Sequence, residues 1–175
     1  MNITKNNINK VLFGIFTITL LASCNNEGYD DYKPAVTPSV ELNGEWYIDI
    51  IDADTGDVYA QHVTTRTYDT NGGDGKMVIN DFKGAPAPLT GYWIKAPVDT
   101  NPSNLTFSAK NAPNTNVPGA TTVTVTDGKI IKNAGHSRTG HATDSIYFKV
   151  QYSFDTTTTL IYAGHKRTGF LEDNY

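Results

Sequence analysis

The sequence predicts an all-β fold, an antiparallel up-and-down barrel of eight or nine strands. Three observations predict it. From Leu42 onward, no window of ten or more residues keeps apolar residues at helical spacing. Short runs instead alternate apolar and polar residues, the period of a strand with one buried face. Clusters of Gly, Pro, Asn and Asp separate these runs at short intervals, so that neighbours connect as an antiparallel meander.

Strand by strand, Glu45–Ile51 places Trp46, Ile48 and Ile50 on one face. Val58–Tyr68 is rich in β-formers but alternates weakly. The loop Asn71-Gly72-Gly73-Asp74-Gly75 permits the positive φ of a tight reversal. Lys76–Phe82 follows, and Gly84 to Pro88 is a loop because proline cannot donate to a ladder. Tyr92–Val98 puts Tyr92, Ile94, Ala96 and Val98 on one side, and Leu105–Ala109 is short. Thr121–Thr126 leads into Asp127-Gly128, a two-residue hairpin signal, and Lys129–His136 returns. Ser145–Phe154 alternates cleanly, with Ile146, Phe148, Val150, Tyr152 and Phe154 on one face. Thr158–Lys166 is the last strand.

Residues 1–23 read as a leader. Lys5 and Lys10 precede the apolar run Val11 to Ala22, which is too short to span a bilayer as a helix. Leu21-Ala22-Ser23-Cys24 resembles the lipobox of bacterial lipoproteins, with Cys24 as the modified residue. The resemblance implies that Cys24 carries acyl chains and anchors the protein to a membrane. Two or more chains, at about 0.8 kcal/mol per buried CH₂, hold stably. Residues 24–41 then form a tether, with Pro34 and Pro38 blocking regular structure. Its acidic cluster Glu27, Asp30 and Asp31 resembles the export signals of surface lipoproteins of the Bacteroidetes, so the expected location is the cell envelope, at the outer membrane.

Residues 42–175 are expected to form one barrel domain, long enough for a core of its own. Net charge is −4 and becomes more negative once Lys5 and Lys10 leave with the leader. No basic stripe is available for nucleic acid. Cys24 is the only cysteine, so the domain has no disulfide. His136 and His165 have no Cys, Asp or Glu at metal-ligand spacing, and neither a metal nor a cofactor is expected.

One heptapeptide occurs twice. Ala134-Gly135-His136-Ser137-Arg138-Thr139-Gly140 returns as Ala163-Gly164-His165-Lys166-Arg167-Thr168-Gly169. The strands ending at His136 and His165 flank the same strand, so both copies lie at one end of the sheet. Arg138 and Arg167 then either grip an anion or pair with a carboxylate such as Asp144, Glu172 or Asp173. Gly135-His136-Ser137 is not a nucleophile elbow. The closing glycine comes one residue late and no helix follows.

Asn43-Gly44-Glu45-Trp46-Tyr47 carries the Gly-x-Trp that opens the first strand of calycins, the lipocalin-like barrels. That resemblance implies an arginine from the last strand, here Arg167, packed over Trp46 at the closed end. The whole chain also resembles a family of small Bacteroidetes lipoproteins called lipid-binding putative hydrolases. The shared features are the lipobox, the Gly-Glu-Trp-Tyr start and the ending Gly164-His165-Lys166-Arg167-Thr168-Gly169-Phe170. It implies a barrel that binds a small apolar or amphipathic, lipid-like ligand. The expected ligand-binding residues are Trp93, His136, Arg138 and His165. Surface glycan binding through Trp93, or hydrolysis, are the alternatives. No set of nucleophile, base and acid supports hydrolysis, and no catalytic residue is assigned.

Overall fold

The computed structural model describes residues 37–70, 72–81 and 91–175. Cys24, the leader, most of the tether, Phe82 and the Gly84–Pro88 loop lie outside the described residues. Eight strands follow in order: β1 (Gly44–Asp52), β2 (Val58–Asp69), β3 (Lys76–Asp81), β4 (Lys95–Asn101), β5 (Thr106–Pro113), β6 (Thr122–His136), β7 (Ala142–Tyr152) and β8 (Asp155–Lys166). Each pairs antiparallel with the next, and β8 pairs back onto β1. The ladders of the closed barrel come entirely from Gly44–Lys166, so closure draws nothing from the segment before it.

The expectation of eight or nine strands resolves to eight because Asp127-Gly128 is not a hairpin. A type I′ turn needs positive φ at both central residues. Asp127 has φ 57°, but Gly128 is not in that region. The pair is a bulge inside one long β6, between the registers Thr126↔Lys149 and Lys129↔Tyr147. Gly128 is required there because a Cβ would come within 2.3 Å of the Phe107 carbonyl oxygen.

Alternation decides which residues fill the barrel. Trp46, Ile48, Ile50, Met77, Ile79, Ala96, Val98, Val125, Ile146, Phe148, Val150 and Leu160 all point inward and are buried. A barrel of eight strands has an interior just wide enough for side chains to fill. Phe154 differs from the expected alternation and is 46% exposed, since β7 ends at Tyr152 and the chain turns away. The fourth strand begins at Lys95 rather than Tyr92. At the last residue of β3 the Asp81 amide donates to the Ile94 carbonyl at 3.0 Å and its carboxylate oxygen Oδ1 accepts from the Ile94 amide at 2.8 Å, so a side chain completes the pairing there.

The lower end, where β1 begins, is closed by a single 3₁₀ turn, Val40–Leu42. Thr37 and Ser39 hydroxyls donate to the Asp69 carboxylate, so the last residues read as tether belong to the base of the barrel. Leu42 is fully buried. A short relay holds it: Trp46 Nε1 donates to Thr67 Oγ1 at 2.9 Å, and that hydroxyl donates to the Leu42 carbonyl at 2.7 Å. Thr67→Val keeps the shape but strands the indole N–H and the carbonyl. Each orphaned buried group costs about 1–3 kcal/mol. Thermal unfolding of the variant should shift down by about 4 °C or more. An unchanged midpoint would show that the relay contributes nothing.

Candidate functional site

Both copies of the heptapeptide lie at the lower end, on β6 and β8 either side of β7, as their strand positions require. What they hold is the chain's own C-terminal segment. The Thr139 amide and hydroxyl donate to Asp173 Oδ1 at 2.9 and 2.6 Å, and the Thr168 hydroxyl donates to Oδ2 at 2.6 Å. The arginines take the next residue. Arg138 Nη1 donates to the Asn174 backbone oxygen at 2.7 Å, and Arg167 Nη2 to its side-chain oxygen at 3.2 Å. Equivalent residues of the two copies thus grip the same two positions. Burial of Asp173 works to raise its pKa, but the threonine hydrogen bonds outweigh it and hold the carboxyl well below the usual range.

The expected stack of Arg167 on Trp46 is corrected. Arg167 lies over Tyr47, 5.0 Å from the ring centroid, and its Nη1 meets Glu45 Oε2 at 2.6 Å. The cation over Trp46 is Lys166, at 5.8 Å. The register explains it: Lys166 is the residue directly opposite Trp46. The expected pairing of Arg138 with Asp144 is corrected too, because Lys132 holds that carboxylate at 3.2 Å. His136 is exposed at the end of β6. His165 contacts the rings of both Tyr47 and Tyr175, and burial lowers its pKa.

Trp93 lies at the opposite end, so the four expected ligand residues do not converge. It is half-buried in the irregular segment before β4, and its carbonyl accepts from Asn114 Nδ2 at 2.6 Å. Around it is a set that the sequence did not single out. Asp81 is fully buried at the last position of β3. Its Oδ1 accepts from the Ile94 amide and from Asn116 Nδ2 at 3.2 Å, whereas Oδ2 has no hydrogen-bond partner in the protein. Thr65 stands directly opposite on β2, also fully buried, and its Oγ1 has no partner either. Two tyrosines complete the end. Tyr152 and Tyr162 hydroxyls are hydrogen-bonded to each other at 2.8 Å and both lie within reach of the Tyr92 carbonyl, at 3.0 and 3.3 Å; with one proton each, one donates to its neighbour and the other to the carbonyl. Tyr92 itself reaches Asp155 Oδ2 at 2.7 Å and meets Phe154 in a tilted ring contact. The hydrogen bond to Asp155 pushes the Tyr92 phenol up to about 12.

Burial pushes the Asp81 carboxyl up to about 7, against the opposing pull of the Ile94 and Asn116 hydrogen bonds. A carboxyl pushed up by burial inside an otherwise apolar barrel is a candidate functional group. When protonated it can donate a hydrogen bond from Oδ2, since Oδ1 already accepts from the Ile94 amide and from Asn116. No side-chain nucleophile hydrogen-bonds to Asp81 among the described residues. No three His, Cys, Asp or Glu side chains among them are grouped to hold a metal ion. The only hint in the sequence was a charged residue, Asp81, at an inward position of a strand.

Two outcomes follow from the two ends. Asp173→Ala should free the C-terminal segment and lower the melting midpoint by several degrees at pH 7. Because the Asp173 pKa is depressed by folding, its contribution is present above the unfolded value near 4 and fades as pH falls below it. The gap between variant and parent should therefore close in acid. A gap that persists unchanged at pH 2 would refute the linkage. Asp81 has the opposite sign. Its folded pKa lies above the unfolded value, so its contribution is complete below about pH 4 and is lost as pH rises to about 7. The difference amounts to at most about 4 kcal/mol. Asp81→Asn mimics the protonated form and should melt higher than the parent at pH 8, with little difference at pH 4.5.

A family model described as lipid-binding putative hydrolase matches residues 31–171, most of the chain and all eight strands. No curated protein matches the chain. An antiparallel eight-stranded barrel, closed below by an indole-anchored turn and carrying unpaired polar groups at its upper end, is thus the form this family takes here: the chain belongs to the lipid-binding putative hydrolase family.

Proposed function

We propose that this protein is an envelope lipoprotein, anchored at the outer membrane by acyl chains on Cys24, whose barrel binds a lipid-like ligand at its upper end. The observation that carries the binding role is the polarity of the barrel interior. It is largely apolar, from Leu42 to Phe148, and carries two unpartnered polar groups, Asp81 at the end of β3 and Thr65 opposite it on β2. Above them lies an aromatic rim, where Tyr92 meets Tyr152 and Phe154 with ring centroids 5.4 and 5.3 Å apart. An amphipathic molecule finds both kinds of surface there within one side-chain length.

Side chains fill the rest of the interior, so the ligand is held at the mouth rather than swallowed whole. The other readings have less behind them. An open groove of about 730 Å³ near the β4–β5 turn is lined by Asp99, Asn101, Asp127, Lys129 and Tyr147 and is polar enough for a sugar. However, Lys129 already covers the Tyr147 face on which a sugar would stack, at 5.3 Å. Hydrolysis rests on the family's description alone.

Fluorescent acyl probes, as free acid and as ester, would be titrated into residues 25–175, a segment that contains every ladder of the barrel. Saturable binding of either is expected, and its absence with both would end the binding role. For the anchor, Cys24→Ser should move the full chain from the detergent phase to the aqueous phase. Unchanged partitioning would contradict acylation at Cys24.

A further inference from the structure

We propose that the Thr65 hydroxyl and the Asp81 carboxyl together bind the carbonyl oxygen of an uncharged lipid ester, an inference that rests on the binding role above. The two residues are directly opposed in the β2–β3 ladder and both face inward. Side chains so placed have Cβ atoms about 4.5–5.5 Å apart. One acceptor atom between them can receive a hydrogen bond from each. Neither oxygen has a protein partner, and Asp81 Oδ1 is already an acceptor twice over. Buried polar groups are nearly always paired, so two adjacent exceptions point to an occupant.

The same end of the barrel shows how it treats a carbonyl. The Tyr152 and Tyr162 hydroxyls, hydrogen-bonded to each other, both lie within reach of one carbonyl oxygen, that of Tyr92. Thr65 and Asp81 form a second polar pair without such an oxygen. Because side chains fill the barrel below, only a group of a few atoms fits at this depth, and the ligand's chain must lie along the Tyr92–Phe154 rim. Asp81 is the last residue of β3 and is fully buried, so the ester group must enter from the upper end.

Charge selects an ester over a free acid. The groups that act on Asp81 are its own burial, the Ile94 and Asn116 hydrogen bonds and a backbone contact; no cation is among them. A carboxylate placed there would lose its hydration with nothing to neutralise it. The titratable groups that face Asp81 are Tyr152 on β7 and Tyr162 on β8, and burial raises both phenols. His62 stacks on Tyr175 of the C-terminal segment, and His136, His141 and His165 lie at the lower end. Between pH 6 and pH 8.5 the change at this site is therefore the ionisation of Asp81, which removes its donor.

The test titrates pyrenedodecanoic acid methyl ester, and the free acid, into residues 25–175 at pH 6 and pH 8.5. The parent should prefer the ester and bind it about tenfold more weakly at the higher pH. Asp81→Asn keeps a donor at every pH and should bind the ester equally at both. Asp81→Leu should lose about tenfold or more at pH 6, and Thr65→Val about threefold. If the parent binds neither probe, the binding role fails and this inference with it. If the parent binds but a folded Asp81→Leu binds equally well, the two groups hold solvent alone and only this inference is overturned. Preference for the free acid overturns the ester assignment. Should the leucine variant not fold, affinity of the parent that is unchanged between the two pH values overturns the proposal by itself.

Discussion

The seam between β8 and β1 is the contact on which the rest of the molecule depends. It runs from Trp46↔Lys166 to Asp52↔Leu160 and turns an open meander into a closed barrel without exposed edges. It is also very tight. A Cβ on Gly164 would come within 2.0 Å of the Tyr47 carbonyl oxygen, so the seam closes only with glycine there. The register it imposes puts Lys166 over Trp46, brings Arg167 to Glu45, and sets Tyr162 inward opposite Ile50. Both ends of the barrel inherit their chemistry from that one alignment.

The two ends then solve the same physical problem differently. A short barrel leaves polar groups at each opening, and buried polar groups must be paired or cost free energy. At the lower end the solution is internal. Thr67 satisfies both the Trp46 indole and the Leu42 carbonyl, and the paired heptapeptides satisfy Asp173 and Asn174. Arg66 and Arg167 share the Glu45 carboxylate from two sides, each at 2.6 Å. At the upper end Asn116 and the Ile94 amide satisfy half of Asp81, and the other half is left open. Hydrogen-bonded pairing is dense below, although Asn43 Oδ1 and Arg167 Nε are unpartnered there, whereas Thr65 and Asp81 form an open pair directly opposed in one ladder.

The repeated heptapeptide shows how a motif can be read correctly in place and differently in purpose. Two arginines at one end of a sheet suggest an anion site, and an anion is indeed bound there. It is the chain's own Asp173, and threonines rather than arginines hold it. The reason is reach: the segment from Thr168 to Tyr175 folds back at once through a single 3₁₀ turn, which delivers its carboxylate to the nearest hydroxyls. The longer guanidiniums extend past it to Asn174.

The amino-acid sequence by itself determined the strand order, the inward face of nearly every strand and the end at which the two heptapeptides meet. Period-two alternation and local turn chemistry carry that information residue by residue, as in Ile146, Phe148 and Val150, or Trp46, Ile48 and Ile50. The tertiary structure decided what depends on register between strands far apart in the chain. It made Asp127-Gly128 a bulge because Phe107 of β5 and Lys149 of β7 already bracket it. It gave Trp46 to Lys166 and Tyr47 to Arg167, because a seam one residue out of step exchanges every cross-strand partner. It also placed Asp81 opposite Thr65 beneath two tyrosines. In the sequence Asp81 is one acidic residue among 18. Only burial in the closed barrel, with one oxygen satisfied and the other without a partner, turns it into a candidate site.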